Sequence, residues 1–235
     1  VPTGYTADNS RKIGGFHCLC VSVGTISGHT LSGYVEGDIL PASVWDLSHR
    51  PTSATEGMVY DSGTDVWVDI YLASYSGSYA TDNLKMVSAY GGVTADGTST
   101  EKFHWYKFSQ VFATQKKRLL TQREFVAMSI GSNQSTNILG SADPNTTGGH
   151  KDTTSRRMIS NIGVEDACGA LWQWGCESGG AYGAAAFVDA YDANDKNVGG
   201  QSYDESCRAF LGGGWGDGVS CGARGSDWDS SPLRL

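Results

Sequence analysis

Long apolar runs, proline and charged residues are all scarce in this chain of 235 residues, which has only five prolines. No apolar run approaches the roughly 18–20 residues that a membrane-spanning helix requires, so we expect no membrane insertion. Charged residues make up 18% of the chain, with 17 Lys and Arg against 25 Asp and Glu and a net charge of −8. This acidic balance argues against a nucleic-acid partner, because a phosphate backbone is bound through an excess of cations.

Basic residues cluster at only two places, the Lys-Lys-Arg run at 116–118 and the Arg-Arg pair at 156–157. At both places we predict a solvent-exposed face rather than a binding site. The His-Lys-Asp sequence at 150–152 is likewise predicted to be a surface turn. Glu165 and Asp166 are adjacent carboxylates, and nothing in their spacing marks them as an acid–base couple.

Short signatures of common enzyme classes are missing, since the sequence contains no P-loop, no G-x-G-x-x-G and no H-E-x-x-H. The string at 218–222 matches the G-x-S-x-G of a hydrolase elbow, but that motif requires a following helix and a later histidine. All five histidines precede Ser220, and no helix-forming run follows it. Triads with another chain order stay formally open. We predict no catalytic residue and no enzymatic activity.

Six cysteines are spread along the chain without the spacing of a zinc site. We expect small buried thiols, with disulfides as the open alternative. The triplets Asp-Pro-Asn at 143–145 and Trp-Gly-Asp at 215–217 are only distantly similar to the calcium-binding loops of sugar-binding lectins. We therefore predict neither a metal ion nor any other cofactor.

Glycine and aromatic residues are abundant, with 32 Gly, 7 Trp and 11 Tyr, which is typical of a protein with many tight turns. The apolar stretch 16–23 is predicted to be a strand. Apolar residues between 40 and 47 have helical spacing and predict a helix. Residues 58–60 and 66–72 predict a β-hairpin, because a turn sequence joins two runs of strand formers.

The middle of the chain alternates loops with helices. Residues 73–100 are predicted to form long surface loops, and 101–110 a helix. The clearest helix signal begins at Thr121, because Thr121 and Glu124 have the spacing of a capping box. Residues 131–155 are rich in turn formers and predict irregular structure.

One segment carries a longer pattern. Residues 163–174 read G-x-x-D-x-x-G-x-x-W-[EQ]-W, in which Gly163 and Gly169 allow tight turns and Trp172 and Trp174 can fill or line a core. The pattern is similar to the signature of the fold that formylglycine-generating enzymes share with variable proteins of diversity-generating retroelements. The resemblance implies an α+β, C-type-lectin-like fold that is loop-rich, with short antiparallel strands and about two helices.

Further segments carry the same resemblance. Residues 119–125 resemble the family's capped helix, and 208–218 resemble its R-x-x-x-G-G-x-W-x-x-G strand. The N-terminal half, at 11–17, 37–45 and 67–72, resembles phage tail proteins related to the major tropism determinant.

The resemblance covers about the whole chain and sets the expected domain boundaries. We expect residues 1–10 to be a connector from an upstream or processed segment and 11–235 to be one receptor-binding domain.

The resemblance implies a phage tail-tip or tail-fibre receptor-binding protein that attaches the virion to the host cell surface through its C-terminal loops. It implies as partners a host receptor (glycan or protein), other tail proteins and further copies in a homotrimer. The location would be the phage tail, after synthesis in the host cytoplasm. Ligand contact would come from the stretch that follows the Gly-Gly-x-Trp strand, namely Trp215, Asp217, Ser220, Arg224, Ser226, Asp227, Trp228, Asp229 and Ser230.

Two alternatives remain at this stage. A structural decoration or assembly protein of the virion would have the same sequence features. An oxidoreductase of the formylglycine-generating type would need a cysteine pair near the Gly-Gly strand, where Asp217 takes the first expected position and Cys221 stands alone near the second. The stretch is not rich in Asn, so its diversification by a retroelement is a further open point.

Overall fold

Short strands and two α-helices succeed one another in the computed structural model. It describes residues 10–78, 83–95, 103–178, 187–191, 197–203 and 207–229, with the backbone alone at 187–191, 197–203 and 229. The strands are β1 (Gly14–Gly15), β2 (Trp45–Asp46), β3 (Met58–Asp61), β4 (Val66–Asp69), β5 (Ser74–Ser76), β6 (Lys85–Val87), β7 (Gln173–Ser178), β8 (Phe187–Tyr191), β9 (Asn197–Tyr203), β10 (Arg208–Leu211) and β11 (Ser226–Asp229); the helices are α1 (Trp105–Thr114) and α2 (Gln122–Met128). Two 3-10 helices lie at Pro41–Ser43 and Gly218–Ser220.

The described strands pair antiparallel in small sheets. Strands β1–β2, β3–β4, β5–β6 and β8–β9 form two-stranded ribbons, and β11, β10 and β7 form a three-stranded sheet with β10 in the middle. The β3–β4 ribbon confirms the hairpin predicted from residues 58–72, with Val59 opposite Val68. Ribbons this small are marginal on their own, so packing between elements has to hold the fold together.

Both helices are capped by side chains. Thr121 accepts a hydrogen bond from the Glu124 backbone N–H, and the Glu124 carboxylate accepts one from the Thr121 backbone N–H, which confirms the predicted capping box. Helix α1 begins and ends about four residues later than predicted. Its N-cap is His104, whose side chain accepts a hydrogen bond from the Lys107 backbone N–H. Of the part of the chain that the structure describes, neither helix is long and apolar enough to cross a membrane.

The largest buried cluster joins segments from the whole length of the chain. Leu19 and Leu40 from the N-terminal region pack with Val59 of β3, Phe125 of α2 and Leu211 of β10. All five side chains are at most 4% exposed. Residues 10–46 therefore share a buried core with the C-terminal sheet.

Two N-terminal predictions are wrong. Residues 16–23 form no strand. Their backbone is hydrogen-bonded to residues 34–40 instead, for example from the Leu19 N–H to the Asp38 carbonyl at 2.9 Å, with one isolated bridge between Cys18 and Ile39. The helix predicted over 40–47 is a 3-10 turn followed by β2, because Ser43 Oγ accepts from the His17 N–H at 2.7 Å and ties this segment to 16–23.

The long loop predicted at 73–100 also needs correction, since it contains the β5–β6 ribbon. Two glycines behave as predicted. Gly163 has φ +99° and Gly169 has φ +77°, and a Cβ on Gly169 would lie 2.6 Å from the Thr136 carbonyl oxygen. The pattern at 163–174 is therefore a packing requirement of the scaffold.

Candidate functional site

The predicted contact stretch is the loop between β10 and β11, together with β11 itself. In the described strands β11 lies at the edge of the three-stranded sheet and pairs only with β10, with Trp228 opposite Ala209. The side chain of Ala209 is buried, so β10 anchors the exposed edge strand to the core. This arrangement holds the stretch on a fixed support.

Backbone hydrogen bonds fix the base of the loop. The Gly212 N–H donates to the Gly225 carbonyl at 2.8 Å, and the Gly222 N–H donates to the Gly212 carbonyl at 3.1 Å. The neighbouring scaffold adds bonds at 3.0 Å from Gly169 to the Gly213 carbonyl and at 2.8 Å from the Ser135 N–H to the Cys221 carbonyl. Backbone N–H groups of Ser135 and Gly169, which precede the loop in the chain, therefore hold it to the scaffold.

The first turn of the loop has its own anchors. The buried Asn137 side chain donates from Nδ2 to the Trp215 carbonyl oxygen, and Asp217 Oδ2 accepts from the Gly214 N–H at 2.7 Å. These bonds hold the Trp215 backbone, and the residue itself is exposed. A backbone fixed in this way loses little entropy when a ligand binds.

The outer side of the loop presents apolar and polar side chains together. Trp215 is 41% exposed, Trp228 46% and Val219 83%. Four more of the predicted contact residues are also exposed: Ser220, Arg224, Ser226 and Asp227. Asp217 is half-buried. Asp229 is described by its backbone, opposite Arg208 in the sheet, and Ser230 lies outside the described residues.

Comparison with known proteins extends over nearly the entire chain. The tail fiber receptor-binding protein of Bordetella phage BPP-1 is 32% identical over 251 aligned positions, which cover 98% of this chain and 62% of that protein. The solved structure of the Major Tropism Determinant M1 variant matches 99% of this chain at 31% identity with a TM-score of 0.75, and the U1 variant at 30% with 0.73. The chain is therefore similar in sequence and in structure to the major tropism determinants.

The relationship confirms the predicted resemblance and the α+β, C-type-lectin-like fold. The chain spans 62–63% of the length of these relatives. A family model described as the second domain of Mtd, the major tropism determinant, matches residues 1–46. That match includes the expected connector and the part of the N-terminal region that packs into the common core.

Thiol chemistry has little support in the described part of this chain. Cys221 is 4% exposed, and burial raises the pKa of its thiol to about 11. Burial likewise raises the pKa of Cys168 to about 12, so both sulfurs are protonated and poor nucleophiles. Within the described ranges, no three His, Cys, Asp or Glu side chains are grouped closely enough to hold a metal ion.

The string at 218–222 does not form a hydrolase elbow. Ser220 ends a three-residue 3-10 helix, and the next regular element is strand β11 rather than a helix. The exposed Ser220 is therefore a surface residue of the loop, which leaves it available for contact with a ligand.

The sequence analysis did not predict a buried polar network that consists of His150, Arg157, Glu165 and Asp166. Arg157 and Glu165, predicted as a solvated cation and an unremarkable carboxylate, are 2% and 1% exposed and form an ion pair. His150 Nδ1 lies 2.7 Å from Asp166 Oδ2, and Asp166 is fully buried. The acidic position of the G-x-x-D pattern was the one signal in the sequence that could have located this network.

The predictions of exposed charge fail at two further positions. Asp152, expected in a surface turn, is 1% exposed and accepts a hydrogen bond from Thr136 Oγ1 at 2.8 Å. Lys117, expected on a solvated face, forms an ion pair of 2.6 Å with Asp69, and its side chain is 11% exposed. Asp152 also accepts hydrogen bonds from the backbone N–H groups of Thr154 and Arg156. The Lys117 charge is compensated by a carboxylate distant in sequence, which no local pattern encodes.

Proposed function

We propose that this chain is the receptor-binding part of a phage tail fibre and attaches the virion to the host surface through residues 214–230. The observation that carries the proposal is the contrast between the two sides of the loop. Its backbone is hydrogen-bonded to the scaffold, while Trp215, Val219 and Trp228 project outward. Rigid aromatic side chains among short polar groups are typical of surfaces that bind other macromolecules.

The names of the relatives support the same proposal, since the protein of Bordetella phage BPP-1 is called a tail fiber receptor-binding protein. By this relationship we also propose a location in the virion tail, synthesis in the host cytoplasm, other tail proteins as partners, and assembly as a homotrimer. Several copies on one fibre would raise the avidity of a weak single site. The proposed contact residues are Trp215, Asp217, Ser220, Arg224, Ser226, Asp227, Trp228, Asp229 and Ser230.

The test is binding of the fluorescently labelled, purified chain to a panel of bacterial strains. We expect binding to the host strain, and a loss of at least about 30-fold in apparent affinity for the Trp215→Ala/Trp228→Ala variant, because the loss of even one hot-spot residue of this type costs about 2 kcal/mol or more. The matched control is Phe16→Ala, which removes another exposed aromatic ring, 58% exposed, from a different segment.

Three outcomes separate the alternatives. An equal loss of affinity in the double variant and in Phe16→Ala would contradict the assignment of receptor binding to residues 214–230. Unchanged binding of the double variant would place the contact elsewhere on the chain. If the parent chain binds no strain that the phage infects, the structural decoration or assembly role is favoured instead.

A further inference from the structure

A second segment of the chain, residues 134–141, lies beside the loop that joins β10 and β11. The Ser135 N–H donates a hydrogen bond to the Cys221 carbonyl of that loop at 2.8 Å. A Cβ placed on Gly222 would lie 2.6 Å from Gln134 Oε1, so the Gln134 side chain lies directly against the loop backbone. One end of the segment therefore borders the loop.

The other end of the segment borders the first turn of the loop. Asn137 Nδ2 donates to the Trp215 carbonyl oxygen and also to Ser141 Oγ, the latter at 2.9 Å. Two atoms that bond to the same nitrogen lie within roughly 6 Å of each other. The Ser141 N–H donates to the Ile138 carbonyl at 3.0 Å and closes a tight turn that contains Leu139. This turn therefore adjoins the Trp215 backbone.

The backbone of the segment is also fixed by residues outside the loop. The Ile138 N–H donates to the Gly169 carbonyl at 2.8 Å, and the Leu139 N–H donates to the Lys151 carbonyl at 2.8 Å. A backbone that is held in this way before binding loses little entropy when a partner covers it. The segment thus has the same kind of support as the loop.

Two side chains of the segment are available to a partner. Leu139 is 57% exposed, and Gln134 is exposed with no hydrogen bond from its amide to any residue that the structure describes. An exposed leucine needs no explanation by itself. Here it belongs to a turn that adjoins Trp215, which is also exposed, so apolar and hydrogen-bonding groups continue from the loop onto the segment.

The size of protein interfaces favours such a continuation. The nine contact residues proposed for the loop are fewer than half of the roughly 20–30 residues that each partner contributes to an interface of standard size. A receptor that forms an interface of that size over the loop also contacts the segments beside it. The segment at 134–141 meets this condition because it is bonded to the loop near both of its ends.

We propose that residues 134–141 form a second part of the receptor-binding surface, with Leu139 and Gln134 as contact residues. The inference rests on the proposed function, since its occupant is the same receptor that the loop at 214–230 binds. Leu139 contacts an apolar group of that receptor, and the Gln134 amide exchanges hydrogen bonds with a polar group. The buried Asn137 joins the two parts of the surface through its bond to Trp215.

The test is binding of the labelled, purified chain to a strain that the parent chain binds. We expect Leu139→Arg to lose about tenfold or more in apparent affinity, because a long charged side chain cannot fit where an apolar contact is made. The matched control is Ile130→Arg, which adds the same charge at a residue that is also 57% exposed. Ile130 lies outside the segment, and its carbonyl accepts from the Asn161 N–H at 2.8 Å. That variant should bind as the parent does.

A second pair of variants tests the amide. We expect Gln134→Ala to lose about fivefold in affinity, since a hydrogen bond with the receptor is removed. Gln110→Ala, at an exposed position of helix α1, should bind as the parent does. Amide hydrogen exchange at 214–225 should be the same in all four variants and the parent, because none of them removes the Asn137 anchor. If Leu139→Arg does not fold, Leu139→Ala takes its place, with an expected loss of about fivefold.

The outcomes separate this inference from the proposed function. Parent-like binding of Leu139→Arg and Gln134→Ala, alongside a loss in Trp215→Ala/Trp228→Ala, would overturn the inference and leave the proposed function standing. Equal losses in Leu139→Arg and Ile130→Arg, or a loss accompanied by faster exchange at 214–225, would also overturn it. A loss in Leu139→Arg with parent-like binding of Trp215→Ala/Trp228→Ala would support the segment and contradict only the assignment to 214–230. A parent chain that binds no strain would overturn both.

Discussion

Arg157 and Glu165 form an ion pair, with Nη2 and Oε2 2.9 Å apart, inside a part of the fold where both side chains are almost fully buried. The same Arg157 donates from Nη1 to the His150 carbonyl at 2.6 Å, and Glu165 Oε2 accepts from the Gly149 N–H at 2.5 Å. The pair thereby connects the Gly-Gly turn at 148–149 to the G-x-x-D segment.

We expect Arg157→Met to lower the free energy of unfolding by about 3–5 kcal/mol, because it leaves the Glu165 carboxylate buried without its cation. Chemical denaturation monitored by tryptophan fluorescence measures the change. The control is Lys12→Met, since Lys12 and Glu56 also form an ion pair, of 2.8 Å, but with side chains 75% and 66% exposed. That variant should lose less than about 1 kcal/mol. Equal losses in the two variants would contradict the assigned role of burial.

Gly169→Ala is expected to destabilise the fold by about 2 kcal/mol or more. Gly169 has φ +77°, and a Cβ there would lie 2.6 Å from the Thr136 carbonyl oxygen, a backbone atom that cannot move independently. Gly216→Ala is the matched control, because a Cβ at Gly216 has no heavy atom within 4 Å. Thermal unfolding should separate the two variants clearly, and similar melting temperatures would show that the 163–174 pattern tolerates a side chain.

The predictions that succeeded from sequence rest on short-range signals. The capping box of Thr121 and Glu124 and the hairpin at 58–72 are decided by residues close together in the chain, so local chemistry is sufficient. The predicted contact stretch was placed by resemblance, and its exposed Trp228 agrees with that placement without testing ligand contact. Local signals therefore predicted individual elements of the scaffold, and the shared motif predicted the position of the loop.

The predictions that failed needed long-range partners. The segment 40–47 has helical spacing, but Ser43 bonds to His17, which is 26 residues away, and the helix does not form. Lys117 was predicted to be a surface residue because its ion-pair partner, Asp69, lies 48 residues earlier in the chain. Apolar periodicity carries no information on such pairings, so buried charge cannot be recognised in this way.

Protonation of His150 should contribute stability at acidic pH. The hydrogen bond from its ring to the Asp166 carboxylate raises the pKa of His150 above 6.5, although burial opposes the shift. The contribution is therefore fully present below the unfolded-state pKa of about 6.5 and is lost as the pH rises through the higher folded-state pKa.

The corresponding variant is His150→Asn. We expect it to be less stable than the parent by about 2 kcal/mol at pH 5.5, with the difference shrinking as the pH is raised toward 9, as measured by urea denaturation across that range. In an Asp166→Asn background the same substitution should show little dependence on pH. A difference that grows with pH in the parent background would contradict the assigned pairing.

Asn137→Ala should weaken receptor binding without removing a contact residue. Asn137 is 5% exposed and holds the loop by donating to the Trp215 carbonyl, so its loss frees the Trp215 backbone and adds an ordering cost to binding. We expect about a tenfold loss of binding to host cells and faster amide hydrogen exchange at 214–217. Ser141→Ala is the control, because Ser141 Oγ is the other acceptor of Asn137 Nδ2, at 2.9 Å, and its removal leaves the anchor to Trp215 in place. If both variants bind host cells as the parent does, the loop does not need this anchor for its function.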